Sequence, residues 1–145
     1  MAELRLRGVG KTYNGTVSVT ALNTVTLDIH QADFVAIQGP SGAGKSTLLH
    51  CLAGLDSPTS GHVLIAGRDL AGMKDKELTA VRRDQLGFIF QSFNLVPTLS
   101  AAENITLPLD IARKKVNQQR FDQVVDAVGL KDRLSHRPAE LSGGQ

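Results

Sequence analysis

Residues 34–55 read FVAIQGPSGAGKSTLLHCLAGL, and this stretch sets the organisation of the whole chain. Residues 34–38 are a short apolar run closed by a Gly-Pro turn, which suits a strand buried on both faces. Residues 39–46 then match G-x-x-x-x-G-K-[ST] in full. A helix is predicted over 46–55, with leucines at 48, 49, 52 and 55 on one side. Strand, glycine loop and helix in that order form a phosphate cradle. Glycines let successive backbone N–H groups curl around phosphate oxygens, and the helix N-terminus turns its positive dipole end to the same anion. Gly39, Pro40, Ser41, Gly42, Ala43, Gly44, Lys45, Ser46 and Thr47 are therefore the predicted nucleotide-phosphate contacts. Lys45 reaches the β- and γ-phosphates, as a catalytic group, and the Ser46 hydroxyl takes a place on Mg²⁺. A chance glycine-rich turn with this pattern arises in roughly one chain in 200 of this length.

Working outward, Leu4 and Leu6 alternate with charged residues, as Val25, Leu27 and Ile29 do with Thr26 and Asp28. Both segments read as half-buried strands, with Asn14-Gly15 as a turn between them. A strand is predicted at 62–66, a loop at 67–74, a basic amphipathic helix at 75–86, and another strand at 87–91 (GFIFQ). The second half changes character. A helix over 101–113 is interrupted by Pro108, and Asn117 caps a further helix that Gly129 stops. The class is α/β: a β-rich core over about 1–91 carrying the phosphate loop, then a helical subdomain over about 92–145.

Composition narrows the alternatives. The 145 residues hold at most one domain's worth of material, 41% apolar and 21% charged, as in ordinary globular proteins. Sixteen Lys and Arg against 14 Asp and Glu leave a net charge of +2, too small to argue for a nucleic-acid partner. The short basic run at 113–115 reads as a solvated turn. The one cysteine, Cys51, excludes an intrachain disulfide and reads as a small core residue. A charged N-terminus argues against a signal peptide, and the longest uncharged stretch, 85–102, is too polar to span a bilayer. A cytoplasmic location is expected.

Residues 141–145 read LSGGQ. With the phosphate loop before it, this pentapeptide makes the chain resemble the ATP-binding subunit of ATP-binding-cassette (ABC) transporters, whose signature motif it is. The segment DQLGFIFQSFNLVPTLSAAENITLPL looks most like the branch serving lipoprotein release and macrolide export. The resemblance implies a P-loop NTPase fold of the ABC-cassette type, with ATP and Mg²⁺ as ligands. It implies that Tyr13 stacks on adenine and that Gln91 touches Mg²⁺ and the attacking water. Ser142 and Gly143, with Gly144 and Gln145 of the same motif, would contact the γ-phosphate bound by a second copy, so that two chains clamp two ATP molecules. It further implies a transmembrane permease partner, met through the exposed apolar loop of Phe93, Leu95, Val96 and Pro97. The cassette would then sit on the cytoplasmic face of the membrane, coupling ATP binding and hydrolysis to export or extraction of a substrate.

The chain departs from the family pattern in one respect. The family places a strand ending in Asp-Glu after the signature, the Asp on Mg²⁺ and the Glu on the attacking water. No Asp-Glu pair occurs in this sequence, and Leu107-Pro108-Leu109-Asp110 lies before the signature. His30, His50, His62 and His136 also precede it, so none matches the family's later histidine. The cassette reads as incomplete at its C-terminal side, with an exposed apolar face at 34–38, weak nucleotide binding and negligible turnover by this chain alone. The alternative is a truncated, hydrolysis-deficient cassette that only binds nucleotide or pairs with a full-length copy. Non-transport cassettes fit less well, because the short span between Gln91 and Leu141 holds no coiled-coil heptads.

Overall fold

The computed structural model describes residues 2–144, which form two compact units, one ending at Phe88 and the other beginning at Ile89. In the first unit the alternating segments pair as predicted. Strands β1 (Ala2–Tyr13), β2 (Val19–His30), β3 (Ser60–Ile65) and β4 (Arg68–Asp69) form an antiparallel sheet in the order β2-β1-β3-β4. Leu6 faces Leu27 on one side and Val63 on the other, and it is fully buried. Helix α1 (Lys45–Leu52) covers this face with Leu48, Cys51 and Leu52, spaced to lie on one helical side. Val9, Leu22, Ile65, Leu70 and Val81 of α2 (Asp75–Gln85) complete the core. Each buried leucine contributes about 1.5–3 kcal/mol by leaving water. On the other face of the sheet Arg7 pairs with Asp28 at 2.8 Å, and its guanidinium holds that carboxyl below the usual carboxylate range.

Two predicted strands do not form. Residues 34–38 pair with none of the described strands, and Phe34 is 97% exposed while only Ile37 packs against the core. A strand exists through its ladder partners, and an apolar run with no neighbouring edge to bond has nothing to make it one. The exposed apolar face expected there is present. Residues 87–91 likewise join none of the described strands, with Ile89 fully exposed. Conversely, β4 lies inside the expected loop, where Ala66 and Gly67 turn the chain back at positive φ so that Ile65 meets Arg68.

The second unit is built on α3 (Ala101–Ile111) and α4 (Gln118–Ala127), with single helical turns at Lys131–Arg133 and Pro138–Glu140. Ser100 and Glu103 cap α3 reciprocally: the hydroxyl accepts from the Glu103 N–H and the carboxylate accepts from the Ser100 N–H at 2.7 Å. The remaining first-turn donors, Ala101 and Ala102, bond the carbonyls of His136 and Leu134. Pro108 does not interrupt the helix. It lies in the last turn, where one ladder bond is lost and the Ala112 N–H still reaches its carbonyl at 3.1 Å. Asn117 caps α4 by accepting from the Arg120 N–H, and Gly129 ends it at φ +68°. Among the described residues no helix is long and apolar enough to cross a membrane.

Candidate functional site

The glycine loop runs from the unpaired segment 34–38 into α1. Gly44 is the residue before the helix and adopts φ +81°, a left-handed conformation that costs a residue with a side chain about 1–2 kcal/mol. A Cβ there would also collide with the carbonyl oxygen of Ala21. Ala21 is in that place for a reason of register. Thr12 faces Thr20 and Lys11 faces Leu22, so Ala21 is an extra residue in β2, and the irregularity lies directly behind the loop. The sheet thus presses its backbone on the loop where only glycine allows contact. Gly42 has the same φ but open space around it.

No side chain caps the N-terminus of α1, and its first backbone acceptor, the Gly44 carbonyl, takes the Leu48 N–H at 2.8 Å. The N–H groups of Lys45, Ser46 and Thr47 precede that first ladder bond, so they belong to the donors a helix leaves without an intrahelical partner. Lys45 folds over the loop, donating to the carbonyls of Gly39 at 2.9 Å and Pro40 at 2.7 Å. Ser46 is exposed, as are Pro40, Ser41 and Ala43, and the Ala43 N–H bonds Pro40 to close the turn. Donors, dipole and ammonium share one exposed stretch of backbone, which suits an oxyanion rather than a cation.

Tyr13 ends β1, 43% exposed, opposite Val19. The bulge at Ala21 is two residues along β2 from Val19, so strand geometry puts the Tyr13 and Ala21 backbones about 8 Å apart. The Tyr13 hydroxyl donates to Asp56 at 2.9 Å, and Asp56 also receives the Lys11 ammonium at 2.5 Å. That ammonium holds the Asp56 carboxyl below its ordinary range, and Asp56 in turn raises Lys11. Cys51, on the buried side of α1, has its thiol pushed up by burial.

The remaining predicted residues lie in the second unit. Gln91 is exposed and ends no strand; it precedes a tight turn in which Phe93 and Asn94 both have positive φ. Ser142, Gly143 and Gly144 are exposed, and no helix begins at them among the described residues. A Cβ on Gly143 would lie 3.9 Å from the Phe93 ring, so the signature and the loop after Gln91 meet within this unit. Gln145 lies outside the described residues.

Residues 22–145 match the family described as "ABC transporter". The chain belongs to this family. It is 46% identical over 145 residues to the ABC transporter ATP-binding protein YknY of Bacillus subtilis, covering 98% of this chain and 63% of that protein. It is 44% identical to the lipoprotein-releasing system ATP-binding protein LolD of Pseudomonas fluorescens, covering 99% of this chain and 65% of that one. The macrolide export ATP-binding/permease protein MacB of Bdellovibrio bacteriovorus is 44% identical over 97% of this chain and 22% of its own length. Among solved structures, the dimeric post-hydrolysis state of the ATP-binding cassette MJ0796 bound to ADP and Pi superposes with a TM-score of 0.87. Identity there is 40%, over 98% of this chain and 64% of that one. The chain thus spans less than two thirds of the length of these relatives, and its fold is that of the ABC-cassette P-loop NTPase.

Three residues of this ABC chain matter to the site without any motif naming them. Ala21 supports the loop through a bulge that only cross-strand register reveals. Asp56 joins Tyr13 to Lys11 across 43 and 45 residues of sequence. Asn104 pins the apolar loop, accepting from the Val96 N–H at 2.8 Å and donating to the carbonyls of Val96, Leu99 and Ser100. Asn104 alone left a trace in the sequence, as an amide four residues into a capped helix.

Proposed function

We propose that this chain is the phosphate-binding and signature-bearing portion of the ATP-binding component of an ABC transporter, acting in export or in extraction of a substrate from the membrane. The observation that carries the reading is the loop itself: a helix N-terminus capped by no side chain, a glycine wedged against Ala21, and the Lys45 ammonium held over the same loop. These features fit the phosphates of ATP. Residues 39–47 would hold them, with Lys45 neutralising β- and γ-oxygen charge and backbone donors of α1 replacing water. The exposed Ser46 hydroxyl supplies a neutral oxygen of the kind Mg²⁺ accepts beside phosphate and water, and the ion would supply charge neutralisation. Tyr13 would carry the adenine.

Pairing of the described neighbour as a dimer, and the exposure of Ser142 and Gly143, support a head-to-tail arrangement in which these residues serve a second copy. The apolar loop of Phe93, Leu95, Val96 and Pro97 would meet a permease on the cytoplasmic face. Chemistry is a separate matter. Polarising the attacking water takes a carboxylate, and the family's Asp-Glu pair does not occur among these 145 residues, so the reading proposed for them is nucleotide binding.

Equilibrium titration with a fluorescent ATP analogue tests the reading. Binding that competes with ATP and falls at least tenfold in Lys45→Ala supports it. Affinity unchanged in Lys45→Ala refutes it.

A further inference from the structure

We propose that Asp56 and Lys11 are positioning residues for the ring of Tyr13, and so set how tightly the purine end of the nucleotide is held. The proposal rests on the reading of Tyr13 as the base-stacking residue. An exposed tyrosine hydroxyl is satisfied by water and needs no protein partner; fixing it costs rotamer freedom without any gain in burial. Here the ring is fixed nonetheless. Its hydroxyl donates to Asp56 Oδ2 at 2.9 Å, and Lys11 Nζ lies 4.9 Å from the ring centroid. Lys11 is only 12% exposed and donates both to Asp56 Oδ1 and to the Ser57 carbonyl at 2.7 Å. Asp56 is tied to the end of α1, because its N–H bonds the His50 carbonyl at 3.2 Å.

The arrangement has a direction. Lys11 and Tyr13 are two residues apart on β1 and so share one side of the strand. The ammonium covers one side of the ring and draws on its electron density. The other side is left for an electron-rich purine to stack upon. Helix α1 begins at the phosphate loop and leads into Asp56, so one rigid element of eight residues, about 12 Å long, joins the phosphate end of the site to the base end. The spacing between phosphate grip and stacking ring is thereby built in.

ATP and inorganic tripolyphosphate are the probes, titrated against the full chain. Tyr13→Ala is expected to weaken ATP about tenfold and leave tripolyphosphate unchanged, the size of one lost base stack. Tyr13→Phe, which removes the ring's tether, and Asp56→Asn, which replaces the charged acceptor of Tyr13 and Lys11 by a weaker neutral one, are each expected to weaken ATP about threefold with tripolyphosphate unchanged. Combining Asp56→Asn with Tyr13→Ala should add nothing to Tyr13→Ala, as for residues acting through one group. If Tyr13→Ala leaves the ratio of the two affinities unaltered, the stacking reading fails and this proposal with it. If Tyr13→Ala lowers the ratio while Asp56→Asn and Tyr13→Phe do not, or if Asp56→Asn weakens both probes equally, the stacking reading stands and the positioning role is overturned. Tyr13→Phe keeps the Lys11–Asp56 pair, so a folding defect in Asp56→Asn leaves the test decisive.

Discussion

Gly44→Ala and Gly42→Ala form a matched pair, because both glycines sit at φ +81° in the same loop and differ in what surrounds them. At Gly42 an added Cβ meets nothing within 4 Å; at Gly44 it runs into the Ala21 carbonyl and lies 3.2 Å from a Leu22 methyl. The left-handed conformation costs an alanine about 1–2 kcal/mol at either position. Gly44→Ala must in addition move the backbone of β2 at its bulge, which adds about 1–3 kcal/mol by the usual cost of overpacking. The difference between the two variants is therefore about 1–3 kcal/mol. Urea unfolding measures it, and the chain offers a local probe: Tyr13 is the single tyrosine and there is no tryptophan, so intrinsic fluorescence reports the first unit. With slopes of about 1–3 kcal/mol/M, the Gly44 variant should unfold about 1 M below the Gly42 variant. Midpoints that coincide, or a larger loss at Gly42, would refute the claim that the sheet presses on the loop at Gly44.

Two further outcomes follow from particular contacts. The Lys11–Asp56 pair makes the first unit's stability depend on pH at both extremes. Asp56 is depressed below 3.8, so its contribution is present at neutral pH and lost as pH falls through that lowered value. Lys11 is raised above 10.5, so its contribution is present below that and lost as pH rises through the raised value. The stability gap between wild type and Asp56→Asn should be flat from about pH 5 to 9 and close outside those limits; a gap that narrows near pH 7 would contradict this. In the second unit, Ser100→Ala removes the acceptor for the Glu103 N–H and should cost about 1 kcal/mol, read as lost helicity on thermal melting. A variant that melts with wild type would show that the His136 and Leu134 contacts suffice to hold the helix start.

Legibility from sequence tracked how local each determinant is. The glycine loop leading into α1 was readable because its nine residues are adjacent in sequence. Asn117 and Gly129 were readable for the same reason: a cap is an interaction over a few adjacent residues. The runs FVAIQ and GFIFQ were read as strands and are not strands, since apolar content describes what a segment prefers to bury and not what edge lies beside it. Pro108 was read as a break and is not one, because a proline removes a single ladder bond to the preceding turn and α3 runs on through it to Ile111.

Residue order alone thus determined that a glycine loop and helix start follow an antiparallel hairpin, and that LSGGQ follows both; these are properties of short windows, where neighbours in sequence are neighbours in space. Tertiary structure decided which backbone the loop leans on, which side of Tyr13 is covered, and that Asp56 reaches back to β1. Each of those depends on cross-strand register and on where α1 ends, quantities that only the packing of Leu6, Cys51 and Val63 into one core makes definite.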